Sequence, residues 1–231
     1  MLVMMMRALK TLIRFPLSVA RALLLAWGVL SALLAAGIYL WMRERYGRGG
    51  PFPAKDAASL LNPLREWMQP SAATVRGFRL KPGDTVLEIG PGPGYFTIEA
   101  SKAVGMGGRI VCMDIQPGML SALSGRLREH GVSNARLLLG DATRVPLAAA
   151  SIDAAFLVTV LGEIPDRPRA LAELRRVMKP GGVLSILETM TDCDYQLEDS
   201  VRDLCAAHGF TVLDHQRQRT GYLLCFAAPP R

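Results

Sequence analysis

From Asp84 onward, short runs rich in branched apolar residues alternate with longer runs whose apolar positions recur every three or four residues. The runs TVLEI (85–89), RIVCMD (109–114), ARLLL (135–139), IDAAFLVTVL (152–161) and VLSILE (183–188) read as strands. Helices are predicted near 94–104, 117–130, 168–178 and 196–208. The third helix starts at an Asp166 cap with Pro168 in its first turn, and closes at Lys179-Pro180-Gly181-Gly182. The segments FTVLDHQ (210–216) and GYLLCFA (221–227) follow each other so closely that they must pair antiparallel. Strand and helix in alternation predict an α/β fold, a parallel sheet covered on both faces that ends in a hairpin.

The first forty-two residues follow a different pattern. Ala22 to Met42 carry no charge over 21 residues, ALLLAWGVLSALLAAGIYLWM. A helix of that length spans about 31 Å, sufficient for a hydrocarbon core of about 30 Å. Trp27, Tyr39 and Trp41 lie toward its ends, where aromatic residues favour the headgroup level. A cleaved signal peptide also begins basic and continues apolar, but this run exceeds the usual apolar region and no small-x-small site closes it. The expectation is a retained transmembrane helix. Upstream, Arg7, Lys10, Arg14 and Arg21 fall within about 60° of one another on a helical wheel, a stripe suited to anionic headgroups. The chain thus divides into a basic amphipathic segment (1–21), a span (22–42), a linker with cap helices (43–83) and an α/β domain (84–231).

Charge narrows the choice of partners. The formal net charge is +7, of which residues 1–42 carry +4 and the remaining 189 residues only +3. A basic groove across the domain is therefore not expected, and neither is a nucleic-acid partner. Cys112, Cys193, Cys205 and Cys225 form no CxxC pair, and with His130, His208 and His215 they offer no metal-ligand spacing. No metal is expected.

In open α/β sheets ligands lie beyond the carboxyl ends of the strands. After the first strand comes Glu88-Ile89-Gly90-Pro91-Gly92-Pro93-Gly94-Tyr95. Its glycines allow close backbone approach, and the helix that follows offers free N–H groups to an anion. A dinucleotide loop, G-x-G-x-x-G, would need glycine where Tyr95 stands, and Pro91 and Pro93 remove donors that a pyrophosphate would use. A carboxylate suits this loop better than a diphosphate. The second strand ends in Asp114, 20 residues after Gly94, where an acid can accept both hydroxyls of a ribose. Gly140-Asp141-Ala142 follows the third strand and could meet an exocyclic amine.

Taken in order, VLEIGPGPGYFTIEA, VCMDIQPGML, LLLGDATRVPL and RVMKPGGVLSILE resemble the successive motifs of class I S-adenosylmethionine-dependent methyltransferases. The likeness covers residues 84–190, and the closing hairpin agrees with that family's reversed last strand. It implies a Rossmann-like seven-stranded sheet of order 3-2-1-4-5-7-6. It also implies that Glu88 and the backbone of Gly90, Gly92 and Gly94 hold the methionine part of the cofactor, S-adenosylmethionine. Asp114 would bind the ribose, Ile115 would pack on the adenine, Asp141 would accept from the adenine amino group, and the Ala142 N–H would face the ring.

The acceptor loop should be Leu161-Gly162-Glu163-Ile164-Pro165-Asp166, after the fourth strand. It lacks the D/N-P-P-Y/F motif of enzymes that methylate adenine or protein amides. Glu163 is the candidate base or orienting carboxylate. Segment 52–70 is expected to cap the cofactor mouth, with Phe52, Trp67 and Tyr95 lining an apolar acceptor site. A span in the same chain points to a small-molecule or lipid acceptor, and a cytosolic cofactor places the catalytic domain on the cytoplasmic side. Two rival readings make opposite binding predictions. A catalytically silent, membrane-tethered scaffold would bind no cofactor, and a nicotinamide-dependent oxidoreductase would conflict with Tyr95 and both loop prolines.

Overall fold

The computed structural model describes residues 17–46 and 50–230, in two units divided at Arg45 and Tyr46. The upstream positions Arg7, Lys10 and Arg14 of the basic stripe lie outside the described residues. The described residues of the first unit all lie in one long helix, α1 (Leu17–Tyr46). Its stretch Arg21–Trp41 is long and apolar enough to cross a membrane, and Leu24, Trp27, Leu33 and Trp41 are all exposed on it.

In the second unit a 3-10 helix (Ala54–Leu61) precedes α2 (Pro63–Met68) and α3 (Ser71–Gly77). Strand and helix then alternate through β1 (Thr85–Ile89), α4 (Thr97–Val104), β2 (Arg109–Asp114), α5 (Pro117–Glu129), β3 (Ala135–Leu139) and β4 (Ile152–Val158). The chain continues with α6 (Arg167–Val177), β5 (Met178–Thr189), α7 (Glu198–Ala207), β6 (Thr211–Gln218) and β7 (Gly221–Ala227). The strands form one sheet of order β3-β2-β1-β4-β5-β7-β6. All neighbours are parallel except the β5–β7 and β7–β6 pairs. A seven-stranded sheet in this order, with its last strands antiparallel, is the Rossmann-like methyltransferase fold.

Alternation along each strand divides the core between the two faces of the sheet. Leu87 and Ile89 of β1, with Ala155 and Leu157 of β4, meet Leu171 and Leu174 of α6 and Val201 of α7. Val86 of β1, with Ala154 and Phe156 of β4, meets Val75 of α3, Val104 of α4 and Leu123 of α5. Strands β1 and β4 are therefore covered on both faces, which is why they read as nearly continuous apolar runs. Edge strand β3 leaves Leu137 and Leu139 exposed. Phe78, just past α3, stacks on Phe156 with ring centroids 4.7 Å apart and is fully buried.

Two strand ends differ from the sequence expectation. Strand β4 stops at Val158 rather than at residue 161 because Thr159 adopts a positive φ of 53°, which turns the backbone out of the pleat. Strand β5 begins five residues early, at Met178, with a register shift against β4 between Ile152 and Ala154. The Lys179-Pro180-Gly181-Gly182 turn is thus an irregularity inside the strand. Gly182 is required there, since a Cβ would lie 2.6 Å from the Asp153 carbonyl oxygen. Asp166 caps α6 as expected, its Oδ1 accepting from the Arg169 amide at 3.0 Å.

Replacing Phe78 with alanine removes one partner of this stack and leaves a large void. The expected loss is roughly 3–5 kcal/mol of unfolding free energy, read as a lower urea midpoint at unchanged slope.

Candidate functional site

The turn after β1 holds three glycines with positive φ, Gly90 at 66°, Gly92 at 54° and Gly94 at 87°. Two of them also lack room for a side chain. A Cβ on Gly90 would lie 2.5 Å from Val160 Cγ2, and one on Gly94 would lie 2.4 Å from Leu123 Cδ1. The Gly90 amide donates to the Met113 carbonyl at 2.9 Å, so the turn leaves the sheet still bonded to β2. Glu88, at the end of β1, is buried and accepts from Thr97 Oγ1 at 2.7 Å. Burial pushes its carboxyl up to about 8, the Thr97 hydroxyl and Cys112 thiol pull it back, and nearby Asp114 adds to the rise.

Asp114 ends β2 and is buried, its Oδ1 accepting from the Gln116 amide at 2.8 Å. Burial raises its carboxyl, and the backbone amides of Gln116, Gly92 and Ile115 act against that rise. Ile115 is exposed next to it. After β3, Asp141 is exposed and accepts from the Thr143 amide at 2.8 Å, while Ala142 is buried. Glu88, the glycines, Asp114, Ile115, Asp141 and Ala142 thus lie along the carboxyl rim of β1, β2 and β3. Glu163 sits in the short 3-10 turn after β4 (Leu161–Glu163), within electrostatic reach of Asp114. Burial first, and then Asp192, Asp194 and Asp114, push its carboxyl up to about 8, opposed by the Phe52 amide.

The segment before α2 lies directly over this rim. Phe52 donates its amide to Glu163 Oε2 at 3.4 Å and accepts from Gln116 Nε2 at 2.8 Å. The Ala54 amide donates to Gln116 Oε1 at 3.2 Å. A Cβ on Gly118 would lie 2.9 Å from the Ala54 Cβ, and one on Gly92 would lie 3.5 Å from Leu60 Cδ1. Tyr95 is buried, donates to Glu66 Oε2 and the Gln69 carbonyl, and carries Arg65 over its ring at 4.4 Å. Trp67 does not join the rim. It is exposed, with Arg219 5.4 Å over its ring, because α2 turns its Arg65 side rather than its Trp67 side toward Tyr95.

Three residues of the rim were not foreseen in the sequence. Thr97 and Gln116 are ordinary loop and helix-start residues whose roles depend on tertiary approach. Glu188 could have been found as an acid that ends an otherwise apolar strand. It is buried near the end of β5, and its carboxyl is pushed up to about 8 by burial, then by Asp192 and Glu163.

A carboxyl raised on folding binds its proton more tightly in the native chain than in the unfolded one. Its contribution to stability is complete below the ordinary value of 4.5 and is lost as pH rises toward about 8. The urea midpoint of the ligand-free chain should therefore fall between pH 5 and 8, each such group adding a slope of at most about 1.4 kcal/mol per pH unit. Glu88→Gln should remove part of that slope and leave the shares of Glu163 and Glu188. An unchanged slope in this variant would contradict a protonated Glu88.

The methyltransferase domain family matches residues 87–186. Among curated relatives, the chain is 35% identical over 116 residues to a demethylmenaquinone methyltransferase of Bacillus velezensis, covering 50% of each chain. It is 40% identical over 103 residues to a malonyl-[acyl-carrier protein] O-methyltransferase of Serratia marcescens, covering 45% of this chain and 37% of that one. An arsenite methyltransferase of Halobacterium salinarum is 27% identical over 139 residues, 58% of this chain and 36% of that protein. The chain spans half or less of the length of these relatives. Its fold is that of a SAM-dependent methyltransferase from Aquifex aeolicus, with a TM-score of 0.72 and 23% identity over 77% of this chain and 99% of the other. Residues 87–186, which hold the glycine turn and the acid that ends β2, match the methyltransferase domain family, and the fold around them is the one seen in a SAM-dependent methyltransferase.

Proposed function

We propose that the chain is a membrane-anchored S-adenosylmethionine-dependent methyltransferase that transfers a methyl group to a small lipophilic or lipid-type acceptor by in-line displacement. The carrying observation is the exposed apolar helix α1 in the same chain as the methyltransferase domain. A span confines the domain to a membrane surface, where lipid-dissolved acceptors reach a high local concentration. One of the named relatives, a demethylmenaquinone methyltransferase, is named for an acceptor of this range. On this reading residues 22–42 form a single retained span, with the domain on the cytoplasmic side where the cofactor is made.

The residues present fit S-adenosylmethionine. The glycine turn can take up a methionine carboxylate at the backbone, where a Cβ on Gly92 would meet only Leu60 Cδ1, at 3.5 Å. Glu88 adds a buried carboxyl beside that turn, and Asp114 ends β2 with an acid placed for a ribose. The exposed Ile115 offers an apolar face to the adenine, flanked by Asp141 and the Ala142 amide. When bound, the cofactor supplies a methyl group on a sulfonium that already carries the leaving group and the driving force. The chain's task is then to align the acceptor and exclude water. Segment 52–70 is the cover on this reading, and Glu163 the base or orienting carboxylate, a role supported by its half-buried position under the Phe52 amide.

Titration of the full chain in lipid nanodiscs with S-adenosylhomocysteine should give saturable binding by calorimetry. Asp114→Ala should weaken it by about a hundredfold, equivalent to losing two charge-assisted hydrogen bonds. With radiolabelled cofactor, acceptors carrying a long alkyl or prenyl tail should be methylated at least about tenfold faster than their tailless counterparts. Equal rates for both would overturn the lipophilic assignment. Recovery of the chain in the soluble fraction, with residues 1–42 removed by cleavage, would overturn the anchor.

A further inference from the structure

Beyond β4 and β5 the rim turns acidic. Glu163 follows β4, Glu188 lies near the end of β5, and Asp192 and Asp194 lie on the loop after it. Glu188 faces β7 through its register partner Tyr222, whose hydroxyl donates to the Gln196 carbonyl at 2.8 Å. The Gln196 amide in turn points at Glu188 Oε2 at 3.4 Å. Glu188 is 1% exposed, and its Oε1 is buried with no hydrogen-bond partner. A buried carboxyl oxygen in that condition is unfavourable until a donor reaches it.

The surroundings show what kind of donor fits. Glu188 lies within electrostatic reach of both Glu163 and Asp192, each of which disfavours its ionisation, and Asp194 does the same to Glu163. Two cations face the group from other elements. Arg167 at the start of α6 acts on Glu188, gives its Nη1 to Gln196 Oε1 at 2.8 Å, and keeps its Nε buried without a partner, so it does not satisfy Glu188 Oε1. Arg65 of α2 acts on Asp192 from over the Tyr95 ring, with its Nη1 on the Leu60 carbonyl at 3.1 Å. Neither forms an ion pair within 4 Å of Glu163, Glu188 or Asp192 among the described residues. Those acids do not converge as a metal-ligand set there either. A neutral hydroxyl could donate to Glu188 Oε1, but only a positive charge also relieves the repulsion among the carboxyls. Tyr195 and Tyr222, edge to face at 6.0 Å, border the same carboxyl and add aromatic surface of the kind that favours cations.

We propose that Glu188, with Glu163 and Asp192, forms the seat of the acceptor and selects a protonated amine, so that the methylated atom is nitrogen. This rests on the methyltransferase reading above and specifies the reacting group of its lipophilic acceptor. Binding of the ammonium displaces the Glu188 proton to solvent, the ammonium donates to the Glu188 Oε1 so freed, and one of its protons then passes to that carboxylate. The freed nitrogen lone pair forms the new bond to the methyl carbon while the carbon–sulfur pair stays on sulfur. The product leaves as a methylated ammonium, and the abstracted proton departs to solvent by way of Glu163, the more exposed of the two glutamates. Glu188 and Glu163 are thereby catalytic residues, and Asp192 a positioning one.

The test uses the full chain in nanodiscs of uncharged lipid, saturated with S-adenosylhomocysteine and titrated by calorimetry with octylamine, octanol and ethylamine. Octylamine should bind about tenfold or more tightly than octanol. Glu188→Gln should abolish that preference with S-adenosylhomocysteine affinity unchanged, and Glu163→Gln should do so in part, which keeps the test open if one variant fails to fold. Octanol binding as tightly as octylamine, or no binding of either amine, would overturn the amine assignment. So would a Glu188→Gln variant that loses affinity for S-adenosylmethionine relative to S-adenosylhomocysteine while its octylamine affinity stays intact, since the acids would then serve the sulfonium. Ethylamine binding as tightly as octylamine would instead defeat the lipophilic reading and leave amine selection standing.

Discussion

Within five residues after β1 the backbone takes positive φ three times, at Gly90, Gly92 and Gly94. An L side chain at any of them would be strained, and at Gly90 and Gly94 it would also meet Val160 or Leu123. The turn is tight because β1 is a central parallel strand that must leave the sheet and return as α4 on one face. Val160 belongs to the loop after β4 and Leu123 to α5, so closing this one turn fixes the positions of both neighbours. The Leu60 side chain then rests against Gly92, which brings the covering segment into the same arrangement. A single backbone constraint thus sets the separation between the rim of β1 to β3 and the rim of β4 and β5.

That separation controls the charges. Glu88, Asp114, Glu163, Glu188 and Asp192 are all pushed upward, in each case chiefly by burial. They differ in how they are satisfied. Glu88 has the Thr97 hydroxyl and Asp114 has three backbone amides, whereas Glu188 keeps one oxygen without a donor. The β1–β2 side is therefore largely complete in itself. The β4–β5 side holds a carboxyl with one oxygen unpartnered among the described residues, beside an Arg167 Nε in the same condition.

Much of this was legible in the sequence. Runs with one period, such as TVLEI and RIVCMD, were placed to the residue, and the short connection between FTVLDHQ and GYLLCFA gave the reversed last strand. The exceptions had local causes. The positive φ at Thr159 carries no residue-type signal, and the Pro-Gly-Gly turn at 180–182 ended the helix as expected while the strand resumed before it. Motif order placed Glu88, Asp114 and Glu163 at strand ends. It could not show that Gln116 reaches across 64 residues to Phe52, nor that Glu188 would be deprived of a donor, because both depend on elements distant in the chain.

The covering segment is attached unequally. On one side Gln116 holds it by two bonds, at 2.8 and 3.2 Å, and on the other Glu163 holds it by one at 3.4 Å. Thermal opening begins at the weaker attachment and swings about the stronger. A ligand that takes up the Glu163 carboxylate competes for the bond that the Phe52 amide makes there, whereas the two Gln116 bonds over β2 are left untouched. The β4 side of the cover is thus the side that an incoming group can address without disturbing the attachment over β2.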